Sequence, residues 1–204
     1  MTTHWLILFA GILLGLVPPR LLINCDCRYL AFEDLWTKVL RRPAEEGRRR
    51  RWWKMPLVWI DPCRGFVVAW LLRSAFTPLR EGTAFERLLP VILSCVLLVI
   101  VVWLQTCGRR DERESLSPTG FMAGVILQML PPTVAVATLV MGAASAVAMQ
   151  SFTAGYLAAA LTAAGVGFAF MGKSFTLASA TLLIGLPVVI NFLRGTRLVM
   201  PVRY

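Results

Sequence analysis

The stretch from Leu88 to Cys107, LLPVILSCVLLVIVVWLQTC, runs twenty residues without a charge. At a rise of ~1.5 Å per residue a helix of that length spans about the ~30 Å hydrocarbon core of a bilayer. A buried helix of a water-soluble protein normally keeps a polar stripe, and this stretch has none. The chain therefore reads as an all-α integral membrane protein. Composition agrees: 57% of the 204 residues are hydrophobic and the mean hydropathy is +0.69, yet the net charge is +10. The charges are segregated, with all eleven acidic residues at or before Glu114.

Five spans are expected, over about 5–23, 88–107, 119–150, 152–172 and 174–193. The first begins at Trp5 and meets Pro18-Pro19, with no basic lead or small-residue cleavage site, so it reads as an uncleaved span rather than a signal peptide. The third is too long for a bilayer and must tilt, protrude or break at Pro131-Pro132. Thr83 to Glu86 forms a capping box ahead of the second span, and Ser117-Pro118 opens the third.

Between the first two spans lies a cytoplasmic amphipathic and basic segment, 24–54. Tyr29, Leu30, Phe32, Leu35, Trp36, Val39 and Leu40 fall on one helical face, with Glu33, Asp34, Lys38 and Arg41 on the other. Arg48, Arg49, Arg50, Arg51, Trp52, Trp53 and Lys54 follow. A basic run beside tryptophans suits anionic lipid headgroups, or a partner protein, at the interface. Basic residues interleaved with aromatics also bind phosphates of nucleic acid, but spans on both sides favour the membrane and no nucleic acid is expected. Residues 55–76 form an interfacial or re-entrant helix, with Asp61 as its N-cap and Pro62 at its first position.

Charge orients this layout. With the N-terminus outside, Arg20 to Arg87 and the tail (Arg194, Arg197, Arg203) are cytoplasmic, leaving Arg109, Arg110, Arg113 and Lys173 outside. The layout suits a bacterial inner membrane.

Few residues carry a chemical signal. Gly142, Ala146, Gly155, Ala159, Ala163 and Gly167 recur at spacings of four and let another helix come close, either within this chain or on another subunit. Asp61 and Arg64 form a possible polar pair, read first as a helix cap with its neighbour and second as an interfacial lipid-headgroup site. Cys25 and Cys27 have a C-x-C spacing to which Cys63 adds a third thiol. The only histidine, His4, lies on the predicted opposite side, so no metal site is expected. Gln128, Gln150 and Asn191, with Pro131, Pro132 and Pro187, would line a path if the chain conducts a solute.

No carboxylate lies in the blank half after Glu114, so an Asp/Glu proton relay has no carrier there. No phosphate loop, catalytic triad or H-E-x-x-H appears, and no cofactor is expected. The reading that results is a non-catalytic multi-pass subunit packing against partner membrane proteins or copies of itself. A small transporter or channel is the alternative, and an interfacial enzyme using Asp61, Arg64 and Cys63 a third.

Overall fold

The structure, a computed structural model, describes residues 2–17, 27–32, 56–77, 84–107, 114–203. Seven helices dominate these residues: α1 (Trp5–Leu16), α2 (Pro56–Ser74), α3 (Ala84–Cys107), α4 (Thr119–Met129), α5 (Pro132–Ala148), α6 (Phe152–Met171) and α7 (Phe175–Arg194). Short strands join their ends: β1 (Thr2–Thr3), β2 (Cys27–Ala31), β3 (Phe76–Thr77), β4 (Glu114–Leu116) and β5 (Arg197–Arg203). Three helices are long and apolar enough to cross a membrane, over Leu88–Thr106, Phe152–Met171 and Phe175–Arg194.

Several boundaries follow directly from local chemistry. α1 stops at Leu16 rather than continuing to residue 23, because Val17 precedes Pro18 and is driven into an extended conformation (φ −62, ψ 116). Ser174 caps α7, its hydroxyl accepting the N–H of Leu177, and Gly195 ends the helix in the left-handed region at φ 60. α2 begins at Pro56 and carries Asp61-Pro62 inside it, so Asp61 is not the cap of its own helix. Within the segment expected to be an amphipathic helix, Cys27–Ala31 is instead a strand, paired with β5 through the register Cys27↔Arg203 to Ala31↔Val199. The remainder of that segment, from residue 33 to Lys54, lies outside the described residues, as do Cys25 and Thr83.

The two ends of the bundle are set by named contacts. At one end His4 donates its backbone N–H to Ala75, and β1 pairs antiparallel with β3. α2 thus runs antiparallel to α1, with Gly11 against Leu72 and Gly15 against Val68 on the way. At the opposite end β5 is the central strand of a three-stranded sheet, antiparallel to β2 and parallel to β4. Hydroxyls fasten that sheet to the helices. Ser115 and Thr196 share a bond of 2.7 Å, Thr196 reaches Asn191 at 3.2 Å, and Asn191 reaches Thr153 at 3.5 Å. Phe32, just past β2, meets the Phe152 ring edge-on at 5.0 Å between centroids.

The expected third span proves to be two helices. Ser117, before α4, bonds Tyr156 near the start of α6, and Ala146, near the end of α5, packs against Gly155 in the same part of α6. Both outer ends of α4–α5 therefore sit at the sheet end, and the pair is a hairpin that enters and returns. Leu130 and Pro131 are extended at its tip (ψ 151 and 147), the conformation a following proline favours, and Met129 and Leu130 are buried there. This overturns the expected separation of the Arg109–Arg113 connection from the C-terminal strand. The connection is followed by β4, which pairs with β5, because α4 and α5 fold back on each other as a hairpin.

Candidate functional site

α4 is held along its length by α2, and the hold combines backbone contact with charge. The two helices run in the same direction and cross at glycine. A methyl placed on Gly65 would lie 2.0 Å from the Phe121 carbonyl oxygen, and one on Gly124 would lie 1.9 Å from that of Pro62. Only hydrogen fits at either position. Gly120 extends the contact, facing Asp61 Oδ2.

Three ionisable side chains of α2 then use this closeness. Asp61 Oδ2 accepts the Phe121 backbone N–H at 3.0 Å, so it caps α4 rather than α2. A carboxylate at a helix N-terminus meets both unsatisfied amides and the positive end of the dipole. Arg64, one turn along, pairs with Asp61 Oδ1 at 2.8 Å and donates to the Val17 carbonyl at the end of α1. Its guanidinium also lies 5.1 Å from the centroid of the Phe121 ring. The Arg64 side chain is only 2% exposed and that of Asp61 15%, so one charge without the other would be costly to bury. At the far end of α4, Arg73 donates to the Gln128 carbonyl at 3.5 Å and to Gln128 Oε1 at 3.3 Å. A cation there suits the negative end of the helix dipole.

Asp61 and Arg73 are twelve residues apart, about 18 Å along a helix, and α4 is eleven residues, about 16 Å. The spacing on α2 thus matches the length of the half-helix it holds, with the correct sign at each end. Beside this, Gln105 of α3 donates to the Gly15 carbonyl at 2.8 Å, completing the closure of α1.

The stripe of small residues lies elsewhere, between α5 and α6. A methyl on Gly142 would meet Ala159 Cβ at 3.0 Å, and one on Gly155 would meet Ala146 Cβ at 2.8 Å and the Gly142 carbonyl oxygen at 3.0 Å. Ala163 is buried, and Gly167 faces Leu177 of α7. All six residues thus serve contacts inside the chain.

The other candidates are scattered. Gln150 forms the turn between α5 and α6 in a left-handed conformation (φ 49), and Asn191 belongs to the hydroxyl network under the sheet. Cys63 is exposed on α2, and no group of three possible metal ligands occurs among the described residues. Arg48, Arg49, Arg50, Arg51, Trp52, Trp53 and Lys54 lie outside the described residues. Sequence reasoning missed Gly65, Gly120, Gly124, Gln105 and the role of Arg73; of these, only the G-x-x-x-G at 120–124 had a recognisable local signal.

The geometry defines a helical protein of membrane character with a half-helix hairpin gripped by one neighbouring helix. No family model matches the chain, and neither the curated proteins nor the solved structures contain a match.

Proposed function

We propose that this chain is a multi-pass membrane protein acting as a non-catalytic subunit, docked to partner membrane proteins or to copies of itself. The observation that carries this reading is the use made of Asp61, Arg64 and Arg73. Each binds the backbone of another helix, so these charges serve assembly of the bundle. Gentle extraction followed by native mass spectrometry tests it. The expected result is a stable complex or an oligomer, and a solitary monomer overturns the reading.

In this proposal α1, α2, α3, α6 and α7 connect the two faces of the membrane, and the α4–α5 hairpin enters from the sheet end. Five crossings are retained, with α2 taking the place first given to residues 119–150. Exposed aromatics support such a placement, since Trp59, Trp103 and Phe192 lie towards the sheet end and Trp5, Phe85 and Phe175 towards the other. Charge gives the orientation. Ten Lys/Arg lie between Arg20 and Lys54, in the sequence between α1 and α2, three between Arg109 and Arg113, just before β4, and three from Arg194 at the end of α7 to Arg203 in β5. The other end has Arg80, Arg87 and Lys173. By the positive-inside bias the sheet end is cytoplasmic and the N-terminus external. Its basic connections would then meet anionic headgroups of an inner membrane.

One observation favours the transporter or channel reading, the half-helix hairpin with prolines at its tip, a device that builds paths in many membrane proteins. Purified protein in liposomes should then pass an ion or solute. An impermeable vesicle across a broad panel removes that reading and leaves the first.

A further inference from the structure

Arg73 differs from the other two charges of α2 in what remains open around it. Asp61 and Arg64 face each other inside the bundle, whereas Arg73 is exposed and, among the described residues, bonds the carbonyl and side-chain oxygen of Gln128, both neutral. A guanidinium has five N–H donors, so most of its capacity is left over from the bonds to Gln128. Among the described residues no carboxylate contacts it.

Its height in the bundle is fixed by its neighbours. Ala75, two residues on, accepts the His4 N–H at the start of α1, and Thr77 pairs with Thr2. This end carries exposed rings at Trp5, Phe85, Phe168, Phe170 and Phe175, at the starts of α1, α3 and α7 and the end of α6. Trp5 among them is a residue type that settles at the headgroup level of a bilayer, where the side chain of an arginine finds phosphate. Phe66 and Trp70, seven and three positions before Arg73 on one face of α2, are also exposed. Spacings of three and seven place them in a row with Arg73 on one side of the helix, the path an acyl chain would follow from a headgroup at the arginine.

We propose that Arg73, tethered by Gln128, holds the phosphate of an anionic glycerophospholipid whose acyl chains lie against Trp70 and Phe66. The site occupies the end of the bundle opposite the sheet, so it is separate from the basic connections. It rests on the membrane placement proposed above and not on the docking role.

The test is native mass spectrometry of the full chain released from nanodiscs of phosphatidylglycerol mixed with phosphatidylcholine. Wild type should retain phosphatidylglycerol in preference, and Arg73→Gln should lower the population carrying the most tightly held lipid by roughly five-fold. Gln128→Ala keeps the charge and the carbonyl contact but removes the side-chain half of the tether, and retention should fall there by less. Lys173→Gln removes another charge of the same end and should leave that lipid in place. Added inorganic phosphate should neither displace the lipid nor appear as an adduct. Equal retention in Arg73→Gln, an equal loss in Lys173→Gln, no preference over phosphatidylcholine, or a phosphate adduct in place of lipid overturns the site. Where Arg73→Gln fails to fold, unchanged retention in Gln128→Ala overturns it. A polypeptide lost on Arg73→Gln, with no lipid affected, assigns the arginine to a protein contact and also overturns it. Lipid retained by a solitary monomer would sustain this site while removing the docking role.

Discussion

The α2–α4 crossing and the α5–α6 crossing both bring helix backbones together, yet they are built on different chemistry. Between α5 and α6, glycine and alanine meet glycine and alanine, and contact grows from a repeat along each helix. Between α2 and α4, two glycines permit the approach, and charges then fix direction and register. The first crossing joins sequence neighbours through a short turn. The second joins helices more than forty residues apart in the chain, for which no short connection limits the alternatives. A long-range pairing needs a specific lock; a hairpin has its turn.

This contrast predicts a ranking of losses in unfolding experiments in detergent. The largest belongs to Arg64→Leu, which leaves Asp61 buried without its partner and should cost about 3–5 kcal/mol. Replacing both residues with apolar ones should cost less than removing Arg64 alone, which would identify the stranded charge as the cause. Next is Gly124→Ala, whose methyl would meet the Pro62 carbonyl oxygen at 1.9 Å. Helices must separate to admit it, at about 3 kcal/mol, measurable as a lower unfolding midpoint.

Gly155→Ala has more room, with its nearest contact a methyl at 2.8 Å, and should cost about 1–2 kcal/mol. If it proves as harmful as Gly124→Ala, the two crossings are equally tight and the distinction fails. Arg73→Gln should lower stability by only about 0.3–1 kcal/mol, since an exposed cation at a helix C-terminus contributes little. Gly165 has nothing within 4 Å of its missing methyl, so Gly165→Ala should stabilise the helix by about 0.5 kcal/mol. A large loss there would reveal a neighbour outside this chain.

The sequence exposed one crossing far better than the other. Spacing by four along α5 and α6 is a one-dimensional signal, and the helices of residues 88–107, 152–172 and 174–193 follow from apolar runs of sufficient length. Gly65 is a single glycine in an apolar helix and gives no such pattern. Asp61 followed by Pro62 has the local form of a helix start, and the structure overrides it because Pro56 begins the helix earlier and the carboxylate serves α4 instead. Cap chemistry identifies that a helix end needs an acceptor, but not which helix receives it. Likewise, Pro131-Pro132 announced a break in residues 119–150, while the reversal depends on contacts with α6 that no local pattern encodes. The strand at Cys27–Ala31 was obscured by apolar positions that fit a helical face, and its partner lies beyond residue 196.

That partner has a bearing on the order of assembly. β5 stands between β2 and β4 but follows both in the chain, so a ribosome releases the middle strand of the sheet after its two neighbours. Until then β2 and β4 lack their shared ladder. The seven described helices are all synthesised before the strand that ties those distant segments together, and completion of the sheet is therefore a late event in biogenesis, downstream of helix insertion.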